Sequence, residues 1–187
     1  MKTLLRNLRI SSATASLLLG IATSTAAVPT NSVQLDDALK PLAPLLGKTW
    51  KADFKDSTPE KPQADIMTWE RILNGKAVRV LHSINNGEYG GETIITWDNA
   101  AKSIVYYYFT TAGYKTTGTM KIEDGKFVSH EIVSGGSPND VSEVKSVSEI
   151  RADGSFHNKS MYLKKGEWVP GHEFHYHEAP DAKVIFK

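Results

Sequence analysis

The chain contains no cysteine in its 187 residues. That excludes disulfides, thiolate metal ligands, a cysteine nucleophile and a lipid-modified cysteine anchor, so stability has to come from a packed core. Excess charge is also lacking, with 22 basic residues against 21 acidic ones. No Lys/Arg cluster is interleaved with aromatics, and nucleic acid is therefore not expected as a partner. Long hydrophobic runs are missing too. The apolar stretch from Ala13 to Ala22 is about ten residues, where a bilayer-spanning helix needs about 20. No transmembrane segment is expected.

That short stretch has a different meaning. Lys2, Arg6 and Arg9 precede it without an acid, Leu17-Leu18-Leu19 form its centre, and small residues lead on to Ala26-Ala27. Charged, apolar and small residues in that order mark a secretory signal. We expect residues 1–27 to be a signal peptide, cleaved near Ala26 or Ala27, and the protein to be periplasmic or secreted. Removal of the three basic residues leaves 19 bases against 21 acids. Residues 28–187 then form a single domain, long enough for a sizeable core.

Helix signals are scarce. The one clear candidate runs from Asn31 to Lys40, with Asn31 as cap, Val33, Leu35, Ala38, Leu39 and Leu42 at helical spacing, and Pro41 and Pro44 as its end. Turn signals recur beyond it: Asn74-Gly75, Asn86-Gly87, Asp98-Asn99, Ala112-Gly113, Asp124-Gly125, Gly135-Gly136, Asp153-Gly154 and Lys165-Gly166. Most are about 11 or 12 residues apart, the spacing of hairpins in an all-β sheet. Ten β-rich runs are expected: 48–55, 65–72, 77–84, 92–97, 103–110, 114–122, 127–133, 141–150, 155–164 and 167–178. No segment between them can hold a parallel crossover. The expected fold is an all-β, antiparallel up-and-down barrel of about ten strands with a short N-terminal helix, because closure removes exposed edges. A two-sheet sandwich is the alternative.

The first run opens on Leu46-Gly47-Lys48-Thr49-Trp50. This resembles the Gly…Trp start of the calycin superfamily, which includes lipocalins and fatty-acid-binding proteins, with one more residue between glycine and tryptophan. Trp69-Glu70-Arg71, Gly87-Glu88-Tyr89-Gly90-Gly91 and Gly166-Glu167-Trp168-Val169-Pro170-Gly171-His172 further resemble a family of uncharacterised bacterial calycin-like exported proteins. The resemblance implies a barrel with Trp50 closing one end. It transfers no activity.

Alternate residues of a strand share a face, which sorts the candidate site residues. Trp168, Pro170, His172, Phe174 and Tyr176 are expected to face inward, leaving Glu173, His175 and His177 in water. That outer set has the spacing of a zinc site, though a solvated polar face explains it as well. His82 shares a face with Val78, Val80 and Ile84 and is expected inside. On 127–133 the pattern leaves open whether His130 or Glu131 points inward. Arg71 follows Met67 and Trp69 on one face, where its planar fork would suit a carboxylate ligand. Tyr106 and Tyr108 share one face and Tyr107 and Phe109 the other. The pattern leaves the inward pair open, and we carry Tyr106 and Tyr108 as cavity candidates.

The expected function is the binding of a small, largely apolar ligand by Trp69, Arg71, His82, Tyr106, Tyr108, His172, Phe174 and Tyr176. No cofactor is required. A haem or metal protein using His172 or the Glu173/His175/His177 face is one alternative, His172 having the late position of the histidine in calycin-like haem barrels. An enzyme with Glu70, Glu131 or His82 as base is another. No Gly-x-Ser-x-Gly turn is present, which argues against a serine nucleophile.

Overall fold

The computed structural model describes residues 34–187. The expected signal peptide, its cleavage site and the Asn31 cap lie outside these residues. Ten strands follow one another: β1 (Thr49–Asp53), β2 (Ala64–Ile72), β3 (Ala77–Ile84), β4 (Tyr89–Asp98), β5 (Ser103–Thr110), β6 (Lys115–Glu123), β7 (Lys126–Ser134), β8 (Val141–Ile150), β9 (Phe156–Lys164) and β10 (Glu167–Glu178). Each pairs antiparallel with its neighbours in the chain, and β1 pairs with β10, so the sheet closes into an up-and-down barrel. Closure is narrow, with Trp50 opposite Glu178 and Lys51 opposite His177. β3, β5, β8 and β10 have the expected bounds. β4 begins three residues early, at Tyr89.

The helical segment differs from expectation. It is a 3₁₀ helix from Asp37 to Leu45 that contains Pro41 and Pro44 instead of ending at them. A 3₁₀ helix has three residues per turn, so Leu39, Leu42 and Leu45 stack on one face, and all three are buried. Asp36 caps the helix through Ala38 N and donates its own N–H to Gly75 O, at 2.8 Å. The helix is thereby tied to the β2–β3 turn and packs over that end of the barrel. Trp50, 1% exposed, lies beneath it and donates its indole N–H to Leu45 O. Each buried leucine contributes about 1.5–3 kcal/mol.

The barrel therefore has a closed end and a mouth. At the closed end, Phe156 gathers Trp50, Trp69, Phe127 and Tyr176 around it, at centroid distances of 5.9 to 6.5 Å. The mouth carries the β1–β2, β3–β4, β5–β6, β7–β8 and β9–β10 connections. Beyond β10 the chain continues over the outer wall, where Ile185 N–H donates to Ser83 Oγ and Phe186 lies against Gly90. Among the described residues no helix is long and apolar enough to cross a membrane.

Candidate functional site: the barrel cavity

Above the closed end the barrel encloses a cavity of about 760 Å³. Parity along the strands decides what faces it. β2 contributes Asp65, Met67 and Trp69, β3 Val80 and His82, β5 Tyr106 and Tyr108, and β10 His172, Phe174 and Tyr176. Tyr107 and Phe109 take the outer face at 44% and 51% exposure, against 5% for Tyr106.

Two expectations need correction. Arg71 has the parity of Met67 and Trp69, but it stands beyond Trp69 at the closed end, exposed and outside the cavity wall. Trp168 does not share the inner face of Phe174. A bulge between Pro170 and Glu173 inserts one residue and reverses the parity of β10. Trp168 lies outside, with Lys145 Nζ 4.2 Å from its ring centroid and His130 nearby. Glu70 is outward as well, paired with Arg79, which removes it as a base in the cavity. On β7 it is Glu131, not His130, that faces inward.

The two walls of the cavity differ. Met67, Trp69, Val80, Ile95 and Phe174 make one side apolar. The other side is built by β7–β9, where Ser129, Ser146 and Ser160 form one cross-strand row and Ser148 and Asn158 the next. Ser148 Oγ accepts from Asn158 Nδ2 at 2.8 Å.

A chain of side-chain hydrogen bonds runs from the interior to the mouth. The Asp65 carboxylate accepts from Tyr176 Oη at 2.7 Å and from His82 Nδ1 at 3.0 Å. His82 Nε2 is then the accepting nitrogen and meets Tyr108 Oη at 2.7 Å. With the Tyr108 proton committed to His82, the Tyr108 oxygen accepts from Tyr89, and the Tyr89 oxygen from Tyr114. Every donor points toward Asp65, so the lone pairs of the Tyr114 oxygen remain to face the mouth. Burial raises the pKa of Tyr89, Tyr108 and Tyr176 far above the usual phenol value, with Asp65 adding to the effect at Tyr108 and Tyr176. These hydroxyls stay protonated.

Glu131 is the other interior acid. It lies deep in the barrel, and desolvation raises its pKa above the usual 4.5, opposed by the Thr116 hydroxyl, which donates to Oε2 at 2.6 Å. Tyr106 approaches it by lying across Gly118, the residue between them in register. A Cβ at Gly118 would sit 2.3 Å from Tyr106 Cζ, so a larger residue there must displace the ring. The Tyr106 hydroxyl is buried without a partner in hydrogen-bond geometry. Burial and the neighbouring Glu131 charge both oppose its ionisation. Gly91 serves Tyr108 in the same way, at 2.4 Å from Cε2.

At the rim, His172 packs among Phe54, Tyr162 and Phe174. Desolvation lowers its pKa from 6.5, which favours the neutral imidazole.

On the outer wall the structure joins Glu173 and His175 with His157 of β9 instead of with His177. His157 Nε2 meets Glu173 Oε1 at 3.0 Å, and its ring stacks on His175. Arg151 donates to Nδ1 of both rings, at 3.0 and 3.5 Å. That places the proton on each Nε2, toward Glu173, and a metal bound there would have to displace it.

The chain is similar to the protein of the crystal structure of Rv2717c from M. tuberculosis. The identity is 14%, over 78% of this chain and 99% of that one, with a TM-score of 0.55. At that identity the likeness shows the fold alone. No protein-family model and no curated protein matches the chain.

Asp65, Tyr89, Tyr114 and the hydroxyl wall were not anticipated from the sequence. Asp65 was accessible to the parity argument, sharing its face with Met67 and Trp69. Tyr89 and Tyr114 stand at strand ends, where the alternation has no neighbours to fix it.

Proposed function

We propose that this is an exported, calycin-like barrel protein that holds a small, largely apolar molecule in its interior. The cavity of about 760 Å³ carries the reading, because pockets for small ligands run from roughly 300 to 1,000 Å³ and combine apolar walls with a few polar groups. Trp69, Met67 and Phe174 supply flat apolar area, while His82, Tyr108 and the serine rows supply the polar contacts. A barrel filled by its own side chains would have no such space. The signal-like N-terminus supports export.

Native mass spectrometry of the protein taken from its own host tests both parts. The expected result is a chain that begins near Val28 and carries an excess mass lost on denaturation. A bare chain that gains no mass from any small-molecule mixture offered would overturn the binding reading. A chain that still carries residues 1–27 would overturn export.

One observation favours a second reading, in which His172 holds a haem. Its imidazole stands at the cavity wall, is flanked by three rings, and has its pKa lowered by desolvation, which favours the neutral form a haem ligand needs. Bound there, the porphyrin would supply redox or gas-binding chemistry while the side chain fixed its position. Addition of haemin should then give a Soret band that His172→Ala abolishes. Protein that stays colourless would rule this reading out.

A further inference from the structure

The interior holds two carboxylates, and their surroundings differ. Asp65 is answered by two donors, the Tyr176 hydroxyl and His82 Nδ1. Glu131 is answered by a hydroxyl, that of Thr116, with the Tyr106 hydroxyl beside it. The nearest basic group, His130, lies on the other side of the wall and is bonded to Glu143 at 2.6 Å. Lys164 lines the rim, its ammonium 5.8 Å from the Tyr162 ring centroid, in the layer above Glu131. Among the described residues, then, no cationic side chain pairs with Glu131 inside the barrel.

A buried carboxylate without a counter-charge is strongly disfavoured, and the cavity beside it is open to a molecule that would supply one. The hydrogen-bond chain has the same bias. Its protons are all directed toward Asp65, so it offers an arriving ligand an acceptor, the Tyr114 oxygen. What the interior beside Glu131 lacks is positive charge.

We infer that the ligand carries a protonated amine, whose ammonium group donates to the Glu131 carboxylate while an apolar body lies against Trp69, Met67 and Phe174. This rests on the reading that the cavity binds a small molecule, and it names the class. Ionised donors form the stronger hydrogen bonds, and the amine would relieve the cost of an ionised Glu131. An alcohol of the same shape could not. A carboxylic acid would add a second negative charge beside the first.

Titration calorimetry at neutral pH with phenethylamine, phenethyl alcohol and phenylacetate decides it. The amine should bind at least about tenfold more tightly than the alcohol, with the acid weakest. Glu131→Gln should erase the preference for the amine and leave alcohol binding in place. Equal binding of amine and alcohol, or a preference that survives Glu131→Gln, overturns the inference while the cavity reading stands. If none of the three binds, the inference falls, and the cavity reading is decided separately by the native mass spectrometry. Should the variant not fold, the ratio of amine to alcohol affinity in the unaltered protein decides the matter by itself.

Discussion

The two ends of the barrel use aromatic residues for opposite purposes. At the closed end Trp50, Trp69 and Phe127 gather round Phe156 under the leucines of the 3₁₀ helix, and the two polar tips, the indole N–H groups of Trp50 and Trp69, reach Leu45 O and Met67 Sδ. At the mouth Tyr89, Tyr108 and Tyr114 are engaged in hydrogen bonds to one another and to His82. One end buries area. The other holds polar groups in fixed directions around a space. Stability should therefore reside below, and recognition above.

The largest effect should come from the closed end. Trp50→Ala removes the side chain that joins the helix to the barrel and should cost about 3–5 kcal/mol in urea unfolding. Small-molecule binding by the fraction that remains folded should change little. If the variant unfolds normally but binds poorly, the division between the ends is wrong.

The polar chain offers a graded test. Asp65→Asn exchanges an acceptor for two buried donors, Tyr176 and His82, for a group that must present an amide to one of them. We expect a loss of about 1–3 kcal/mol. Tyr114→Phe, at the other end of the same chain, should stay within about 0.5 kcal/mol because its proton is the last in the line. Equal losses at the two positions would mean that the chain has no direction.

Gly118→Ala probes the space itself. The added methyl group must displace the Tyr106 ring, so either β5 and β6 separate or the ring swings into the cavity. Overpacking of this kind costs about 1–3 kcal/mol. In the second case phenethyl alcohol binding weakens as well, which a calorimetric titration of the variant would show.

Much of this architecture was legible in the sequence, and the exceptions have physical causes. Turn residues punctuated the chain so regularly that the ten strands could be bounded to within a few residues, and the meander followed from the missing crossovers. The helix was misread because Leu39, Leu42 and Leu45 repeat every third residue. Prolines that would break an α-helix are tolerated in a shorter 3₁₀ segment, where fewer amide donors are needed. Trp168 was misplaced because a bulge is invisible to an alternation rule that it interrupts. Arg71 had the right face and the wrong height, and alternation says nothing about height. The serine wall escaped notice because serines on strands usually mark the solvent side, whereas here Ser129, Ser146 and Ser160 face inward while Ile132 and Val147 are exposed.

The smallest expected effect sharpens the comparison most, because it separates the interior acid Glu131 from everything else that titrates. Burial raises the pKa of Glu131, so between 4.5 and its folded value the native state holds a proton that the unfolded chain has released. Stability therefore falls as pH rises through that window, with the full contribution present below 4.5. His172 acts in the opposite sense: its lowered pKa makes the native state shed a proton first, so stability is lost as pH falls below 6.5. The two slopes partly cancel in the whole protein. Glu131→Gln removes the first and leaves the second, so the variant's advantage in unfolding free energy should grow steadily from pH 4.5 upward until Glu131 is fully ionised. Phenethylamine should narrow that advantage by stabilising the unaltered protein more than the variant. A difference between the two proteins that is flat with pH would mean that Glu131 is as well solvated in the fold as in the open chain, and the polar wall would then have to be redrawn as a wet one.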